Sequence, residues 1–417
     1  MCRWSDSNWW QFERQVSAVF FMRIMQNENQ KKIASSNELR IAFAGGGTGG
    51  HIYPGLAVAN ELRYYAKEHD ISIKLFWIGS ANGNDKTFVE KSFFENGKKT
   101  IDHFFAIPSG KLRRYFSFQN FFDAFKILAG FFASIFILKK IKPTILFSKG
   151  GFVSVPPCVA SSLLGIKVFT HECDFTPGLA TKINARFANA ILLSYDETKK
   201  FFKSDAQKKC IVTGNPVRSA FYHADEKKGL AFLHRETKTK PILLALGGSS
   251  GAKQINDLIL ENLDFLCEHF AVVHQTGKNV DAQKVKRARE QFENYNAYEF
   301  IFDEISNVLA SADIVVSRAG ANAIWEIAVL GKPAILIPLA GSGTRGDQEE
   351  NAHFFEEKGA AFVLAKENAT SEKLKETVLK ILENENYEKM QKAILTLANK
   401  ERSDKVIAKL LLDNANV

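Results

Sequence analysis

The chain alternates between short apolar runs and longer segments whose hydrophobic residues recur at helical spacing. In the first half the apolar runs predict strands at Ile41–Ala44, Ile71–Ile78, Thr144–Phe147, Lys167–Thr170 and Ala190–Leu193. In the second half they predict strands at Pro241–Leu246, Phe270–His274, Tyr298–Ile301, Asp313–Val316 and Ala334–Pro338. Strands separated by helical segments are typical of right-handed βαβ units and parallel sheets. The pattern predicts an α/β protein with two doubly wound, Rossmann-like domains that face a cleft.

A glycine-rich turn follows the first predicted strand, between Gly45 and Gly50. Such a turn can bring backbone N–H groups close to a diphosphate, and the following helix directs its positive dipole end to the same place. The spacing also fits the dinucleotide fingerprint, which alone is a weak signal. A dehydrogenase would need an acidic residue at the end of the next strand, which here ends in Gly79–Ser80. The pattern therefore favours phosphate binding over nicotinamide chemistry.

Changes in pattern along the chain predict four regions. Residues 1–38 lack βα alternation and are expected to be an appendage, or the product of a misplaced start codon with Met22 or Met25 as the true start. Residues 39–215 form the predicted N-terminal domain, and residues 216–395 the predicted C-terminal domain. The last segment, 396–417, is predicted to be a C-terminal helix.

Composition narrows the classes of partner. The formal charge of +9 favours an anionic partner, which could be a nucleic acid, a phosphate-bearing substrate or an anionic membrane surface. No recognisable nucleic-acid motif is present, so a nucleic-acid partner is not expected. Five cysteines without a Cys-x-x-Cys pair disfavour a disulfide framework or a zinc site and favour a reducing cytoplasm.

A phenylalanine-rich segment, Lys111 to Lys140, is predicted to be a helix with two apolar sides. The side expected to face the sheet carries, among others, Phe125, Leu128, Phe132 and Phe136, and the opposite side carries Ile127, Phe131 and Leu138. Its uncharged run is shorter than the roughly 20 residues of a membrane span. Two interpretations stay open: core packing, or docking on anionic lipid. In the second, the predicted membrane contacts are Lys111, Arg113, Arg114 and Phe131.

Several motifs, in one order over about residues 39 to 395, resemble the MurG family of UDP-N-acetylglucosamine transferases. They are Gly46–His51 with Pro54, Gly150–Ser154, His171–Glu172, Gly214–Arg218, Gly247–Ala252, Ser317–Glu326, and Asp347–Gln348 with Asn351–Ala352. The resemblance implies a GT-B enzyme at the cytoplasmic face of the bacterial inner membrane. Its C-terminal domain would hold UDP-N-acetylglucosamine and its N-terminal domain the undecaprenyl-linked acceptor, lipid I. Transfer would invert the anomeric centre and give lipid II, a precursor of peptidoglycan.

The same resemblance implies roles for individual residues. Ser249 and Arg218 would contact the diphosphate, Phe302 the uracil, Glu326 the ribose hydroxyls and Gln348 the sugar. Other predicted substrate contacts are Ala321 and Asn322 on the donor side, with Thr48, Gly49 and Gly50 across the cleft. Asp174, also a predicted substrate contact, stands where many relatives carry asparagine.

The transfer needs a general base for the acceptor hydroxyl. His51, at the end of the glycine turn, is the predicted base because histidine titrates near neutrality. Glu172 is the rival candidate. No Asp-x-Asp motif occurs in the sequence, so no metal is expected, and helix dipoles and backbone amides would stabilise the leaving UDP. No cofactor is predicted.

Two alternatives to this function stay open. The first is a GT-B transferase that uses another lipid acceptor, such as diacylglycerol. The second is a non-catalytic module that binds nucleotides.

Overall fold

A computed structural model describes residues 38–110, 118–248, 251–339, 346–398 and 401–415. The N-terminal half contains seven strands among these residues: β1 Leu39–Ala44, β2 Ile73–Ser80, β3 His103–Ile107, β4 Ile145–Ser148, β5 Lys167–Glu172, β6 Ala190–Leu193 and β7 Cys210–Val212. Its helices are α1 Tyr53–Glu68, α2 Asp85–Glu90, α3 Phe118–Ile141, α4 Val155–Leu163, α5 Leu179–Asn184 and α6 Ser204–Gln207.

The strands of this half form one parallel sheet in the order β3-β2-β1-β4-β5-β6-β7. The register pairs Ala44 with Ile78 on one side and with Ser148 on the other. The central strands are buried on both faces, because helices cover both sides of a doubly wound sheet. This explains why they read as continuous apolar runs in the sequence.

The C-terminal half repeats the architecture. Its strands are β8 Ile242–Leu246, β9 Ala271–Gln275, β10 Tyr295–Tyr298, β11 Ile314–Ser317, β12 Ala334–Leu336 and β13 Ala361–Val363, in the parallel order β10-β9-β8-β11-β12-β13. The helices are α7 Ser219–Tyr222, α8 Glu226–Phe232, α9 Lys253–Glu261, α10 Leu263–His269, α11 Ala282–Gln291, α12 Ile305–Ser311, α13 Ala321–Val329, α14 Asp347–Glu357, α15 Ser371–Leu382, α16 Asn384–Ala398 and α17 Ser403–Asn414. The prediction of two doubly wound domains is confirmed.

The last helix returns to the N-terminal half. Ile407 and Leu411 of α17 belong to the same apolar cluster as Leu39 of β1. Arg402, just before this helix, pairs with Asp404 at 2.6 Å and also with Glu61 of α1. Helix α17 therefore fastens the end of the chain to the N-terminal domain.

Helix α3 turns the opposite side toward the protein from the one expected. Phe125, Leu128, Phe132 and Phe136 are exposed, and the last of these is 73% exposed. The buried side contains two small residues, Gly130 and Ser134, together with Ile137, Leu138 and Ile141. A Cβ on Gly130 would overlap the carbonyl oxygen of Pro108. Close approach of the backbones selects small residues for this side, and a count of large apolar residues misses that signal.

Strand β10 starts and ends three residues earlier than the predicted strand Tyr298–Ile301, so the two share only Tyr298. Tyr295 is buried in the core, while the polar Asn296 interrupts the apolar run. Phe300 is 37% exposed and lies beyond the strand. Most of the apolar run thus lies after the segment that forms hydrogen bonds in the sheet.

A buried histidine supports the C-terminal sheet. His274 of β9 lies between the amide oxygen of Asn256 and the hydroxyl of Tyr295, at 3.0 Å from each. Because the Asn256 oxygen can only accept, His274 Nε2 carries the proton and Nδ1 accepts from Tyr295. Burial lowers the pKa of His274 to about 3. The imidazole is therefore neutral in the folded protein.

This burial predicts a pH dependence of stability. An unfolded histidine titrates near pH 6.5, so below that pH the unfolded chain binds a proton that folded His274 rejects, and stability falls as pH falls toward about 3. We expect His274→Gln, which can keep both hydrogen bonds, to reduce the loss of unfolding free energy between about pH 6.5 and about pH 5 by about 2 kcal/mol. Urea unfolding measures this, with the exposed His353→Gln as control. An unchanged pH dependence in His274→Gln would contradict the prediction.

Candidate functional site

In each parallel sheet the order of the strands reverses between two adjacent central strands. In the N-terminal sheet these are β1 and β4, which are followed by Gly45–Gly50 and by Lys149–Gly151. In the C-terminal sheet they are β8 and β11. Ligands of doubly wound sheets bind in the crevice beyond such strands. The turn Gly45–Gly50, called here the first glycine segment, and Lys149–Gly151, the second, therefore lie where ligands bind in this class of fold.

A buried aspartate holds the first glycine turn. Asp85, the first residue of α2, is 2% exposed, and both its oxygens accept the N–H of Gly47, at 2.9 and 3.1 Å. One of them also accepts the N–H of Ser80 at 2.9 Å. A Cβ on Gly46 would overlap this carboxylate, which explains the glycine there. The N–H of Gly47, one of the groups expected to bind a phosphate, thus already donates to Asp85.

Sequence reasoning missed Asp85. An acidic residue does follow the second strand, five residues after Ser80 and at the start of α2. Its carboxylate contacts the glycine turn instead of pointing to a ribose. The signal was available as an acidic residue soon after the second strand.

His51 ends a short 3-10 turn, Gly49–His51, which Ile52 alone separates from α1. Its ring lies against Gly151 of the second glycine segment, where an added Cβ would come within 2.8 Å of the ring. Gly151 has a φ of 75°, a conformation that glycine adopts without strain. The second glycine segment therefore packs against the ring of the predicted base, while Gly45 of the first lies close to the backbone carbonyl of His51, which is half-buried.

A buried lysine and histidine link the second glycine segment to the domain junction. Lys149 Nζ lies 2.9 Å from His171 Nδ1, and His171 Nε2 lies 2.9 Å from the carbonyl oxygen of Gly214. The carbonyl can only accept, so Nε2 donates to it and Nδ1 accepts from the ammonium group. Burial and the Lys149 charge hold the pKa of His171 well below its usual range. His171 is thus a neutral structural link between Lys149 and the junction.

Glu172, the rival base, lies at the end of β5 with its carboxylate surrounded by backbone amides. One oxygen accepts from Cys173 at 2.9 Å and from Asp174 at 3.1 Å, and the other from Gly178 at 2.9 Å. Possible ligand atoms of Glu172, Cys173 and Asp174 lie within 4.8 Å of one another. Because three backbone N–H groups donate to the Glu172 carboxylate, these three residues form a turn that is held by hydrogen bonds. The geometry favours a role in holding the turn over proton transfer.

An ion pair lines the C-terminal side of the cleft. Arg218, beyond the domain junction, donates from Nε to Glu326 of α13 at 2.9 Å. Its guanidinium carbon also lies 5.2 Å from the ring centre of Tyr53, the first residue of α1. Burial raises the pKa of Glu326, and Arg218 opposes that shift. The predicted diphosphate and ribose contacts are therefore neighbours, bound to each other in this structure.

The other described donor-side residues lie near the start of α13 and α14. Gly320 precedes Ala321, the first residue of α13, and Gln348 accepts the N–H of Leu339 at 2.9 Å. Arg318, which sequence reasoning did not select, donates to the carbonyl oxygens of Ile337 and Pro338 at 3.0 and 3.1 Å. Together these bonds fix the segment after β12.

Other predicted residues are exposed, belong to helix α3 or fall outside the described residues. Phe302 is 70% exposed and packs against Phe300, with ring centres 4.5 Å apart. Thr48 is exposed at the tip of the glycine turn. Phe131 is half-buried against the N-terminal core. Four predicted contacts, Ser249, Lys111, Arg113 and Arg114, fall outside the described residues.

Two asparagines join the domains across the cleft. Asn322 of α13 donates to the carbonyl oxygen of Gly50 at 2.9 Å. Asn351 of α14 accepts the N–H of Phe175 at 2.8 Å and donates to Asp174 at 3.1 Å. These contacts bring the predicted acceptor side against the predicted donor side, and Asp174 here contacts a C-terminal amide.

Comparison with known proteins agrees with this geometry. The glycosyltransferase family 28 N-terminal domain matches residues 41–193, and the family 28 C-terminal domain matches residues 242–411. The crystal structure of Acinetobacter baumannii MurG superposes with a TM-score of 0.67 at 24% identity, covering 90% of this chain and 99% of that chain. A UDP-GlcNAc 2-epimerase from Neisseria meningitidis, bound to UDP-GlcNAc, gives a TM-score of 0.61 at 15% identity, covering 91% and 99%. At these identities the two structures show the fold.

Sequence relatives are closer. A Treponema denticola protein is 52% identical over 335 residues, which cover 79% of this chain and 84% of the relative. A Borrelia turicatae protein is 42% identical over 375 residues, covering 89% and 96%. Both are named UDP-N-acetylglucosamine–N-acetylmuramyl-(pentapeptide) pyrophosphoryl-undecaprenol N-acetylglucosamine transferase. The chain therefore belongs to glycosyltransferase family 28 and, within it, to the MurG family of N-acetylglucosamine transferases.

Proposed function

We propose that this enzyme transfers N-acetylglucosamine from UDP-N-acetylglucosamine to lipid I, undecaprenyl-diphospho-N-acetylmuramyl-pentapeptide, to give lipid II. The observation that carries the proposal is the contact between the two predicted substrate sides: the turn that ends in His51 is hydrogen-bonded to the first turn of α13 through Gly50 and Asn322. A transfer between substrates held on separate domains needs this juxtaposition.

On the acceptor side, His51 acts as the base. The acceptor hydroxyl attacks the anomeric carbon of the sugar from the face opposite UDP, and His51 removes its proton as the new bond forms. The configuration at that carbon is inverted. Asp85 and Gly151 fix the turn and the ring, so that the imidazole does not have to be oriented during the reaction.

On the donor side, the departing UDP leaves with negative charge on its diphosphate. Arg218 offers a guanidinium group beside this position, and the N-terminus of α13 offers backbone N–H groups after Gly320. Glu326 accepts the ribose hydroxyls. When the donor binds, both partners of the Arg218–Glu326 pair acquire ligand contacts.

Incubation of the purified protein with UDP-N-acetylglucosamine and either lipid I or diacylglycerol tests the proposal. We expect UDP release and a disaccharide product with lipid I and none with diacylglycerol. Transfer to diacylglycerol would identify a different lipid acceptor. UDP binding without transfer to either lipid would support the non-catalytic alternative.

The membrane partner is a separate part of the proposal. Among the helices of the described residues, none combines the length and hydropathy that crossing a bilayer requires. Helix α3 exposes Phe125, Leu128, Phe132 and Phe136 along one side. Exposed lysines, Lys126, Lys139 and Lys140, lie on the same helix. An apolar stripe bordered by cations suits the surface of an anionic bilayer, where a lipid-linked acceptor is found. Nucleic acid has no part in this proposal.

Replacing Phe132 and Phe136 together with serine should lower binding to anionic vesicles by about tenfold or more, because the stripe loses its most exposed aromatic rings. Co-flotation with vesicles measures the bound fraction. Leu379→Ser, a change of an exposed apolar residue on α15, is the matched control.

Changing Lys111, Arg113 and Arg114 together to serine tests the basic residues before α3, each of which is expected to contribute about 1 kcal/mol to the free energy of membrane binding. Unaltered co-flotation of both variants would rule out this surface.

A further inference from the structure

The side chain of Asn322 forms part of a hydrogen-bonded bridge that crosses the cleft. Its Nδ2 donates to the carbonyl oxygen of Gly50 at 2.9 Å, and its Oδ1 accepts from Asn215 Nδ2 at 3.0 Å. A carbonyl oxygen can only accept, so the contact with Gly50 fixes which end of the Asn322 amide faces the turn. The other end is then an acceptor, as the contact with Asn215 requires. The two distances are mutually consistent.

Each partner of Asn322 lies at a different functional position. Gly50 directly precedes His51, the proposed base. Asn215 is buried in the junction between the domains, beside Gly214, whose carbonyl oxygen receives the bond from His171. Asn322 itself is in the first turn of α13, the helix whose N-terminus faces the donor diphosphate in the proposed function. The bridge therefore connects base, junction and donor helix.

The amide of Asn322 is engaged at both ends by the protein. A role as a direct donor contact, which the family resemblance implied, would require this amide to turn away from Gly50 or Asn215. Either movement would break a hydrogen bond in a half-buried site, where unsatisfied polar groups are costly. The Asn322 side chain therefore connects the turn at Gly50 with the domain junction at Asn215 and fixes the distance between them.

We propose that Asn322, with Asn215, is a positioning residue that sets the register between the turn of His51 and the donor helix. It rests on the proposed function, since the register matters only if base and donor react across this cleft. A change of about 1 Å in that register would lower the rate of transfer without changing how UDP binds to the C-terminal domain.

Kinetics and binding of Asn322→Ala, Asn215→Ala and the double variant test this role. We expect UDP affinity, measured by calorimetry, to stay within about twofold of wild type, and kcat to fall roughly tenfold in each single variant. The double variant should be no slower than the slower single variant, because both changes break one bridge. Asn307→Ala is the matched control, since it removes an asparagine bond within the C-terminal domain, to the N–H of Asp225 at 2.9 Å.

Asn322→Asp adds a sharper comparison. An aspartate can still accept from Asn215 but would place an oxygen against the Gly50 carbonyl, so we expect kcat at or below that of Asn322→Ala. A fall in UDP affinity of about tenfold with unchanged kcat would instead make Asn322 a donor contact and overturn the proposal. Multiplicative effects in the double variant would also overturn it.

Hydrogen exchange separates failure of the bridge from failure of the proposed function. In the alanine variants, peptides that cover residues 48–53 and 213–217 should exchange faster than in wild type, with no substrate present. Faster exchange in a protein whose wild type transfers no sugar would leave the bridge intact and reject the function. Unchanged exchange in both peptides would reject the bridge itself.

Discussion

His51→Ala is expected to lower the turnover number by about a hundredfold or more and to leave UDP affinity nearly unchanged, as removal of a positioned base does. The ring of His51 lies against Gly151 in the N-terminal domain, whereas the proposed UDP contacts lie on the C-terminal domain. Steady-state kinetics with lipid I measures turnover, and calorimetry measures UDP affinity. His69→Ala is the control, because His69 is exposed at the other end of α1.

The pH profile separates His51 from Glu172. Loss of activity in Glu172→Gln would not by itself identify a base, since the glutamate carboxylate also holds three backbone amides of its turn. If His51 is the base, its protonation gives kcat/KM an acid limb, and we expect this limb to disappear from the residual activity of His51→Ala. Near-normal turnover of His51→Ala, with the acid limb retained, would exclude His51 as the base.

The sequence was most informative where one short segment carries both structure and chemistry. Buried parallel strands read as apolar runs, and glycine segments follow the central strands between which the strand order of each sheet reverses. Both properties are local in the chain, so the doubly wound fold and the place of the cleft were predictable. The position of His51 followed from the same local pattern.

Contacts between distant residues were not predictable in this way. Asp85 acts on Gly47, and Asn322 acts on Gly50 from the other domain. Nothing in the local pattern of either residue indicates its partner. The inward side of α3 was also missed, because Gly130 and Ser134 mark it by small size instead of hydrophobicity. Packing geometry, which periodicity does not encode, decides such cases.

The ion pair between Arg218 and Glu326 changes what removal of Glu326 should do. We expect Glu326→Ala to weaken UDP binding by about tenfold to a hundredfold, because a hydrogen bond to a charged group contributes about 1.5–3 kcal/mol. Glu326 also pairs with Arg218 at 2.9 Å, so its removal leaves that guanidinium group available to the diphosphate. This partial compensation places the expected loss near the lower end of the range.

Calorimetry with UDP and with uridine diphosphate analogues that lack the ribose hydroxyls measures this directly. If Glu326 holds the ribose, Glu326→Ala should bind the two ligands almost equally, while wild type should prefer UDP. Glu268→Ala, a change of an exposed glutamate on α10, controls for loss of charge in the same domain. The two charges of the pair are coupled, so Arg218→Ala combined with Glu326→Ala should cost less than the sum of the single changes. Unchanged UDP affinity in Glu326→Ala, or an undiminished preference for the ribose hydroxyls, would exclude Glu326 as the ribose contact.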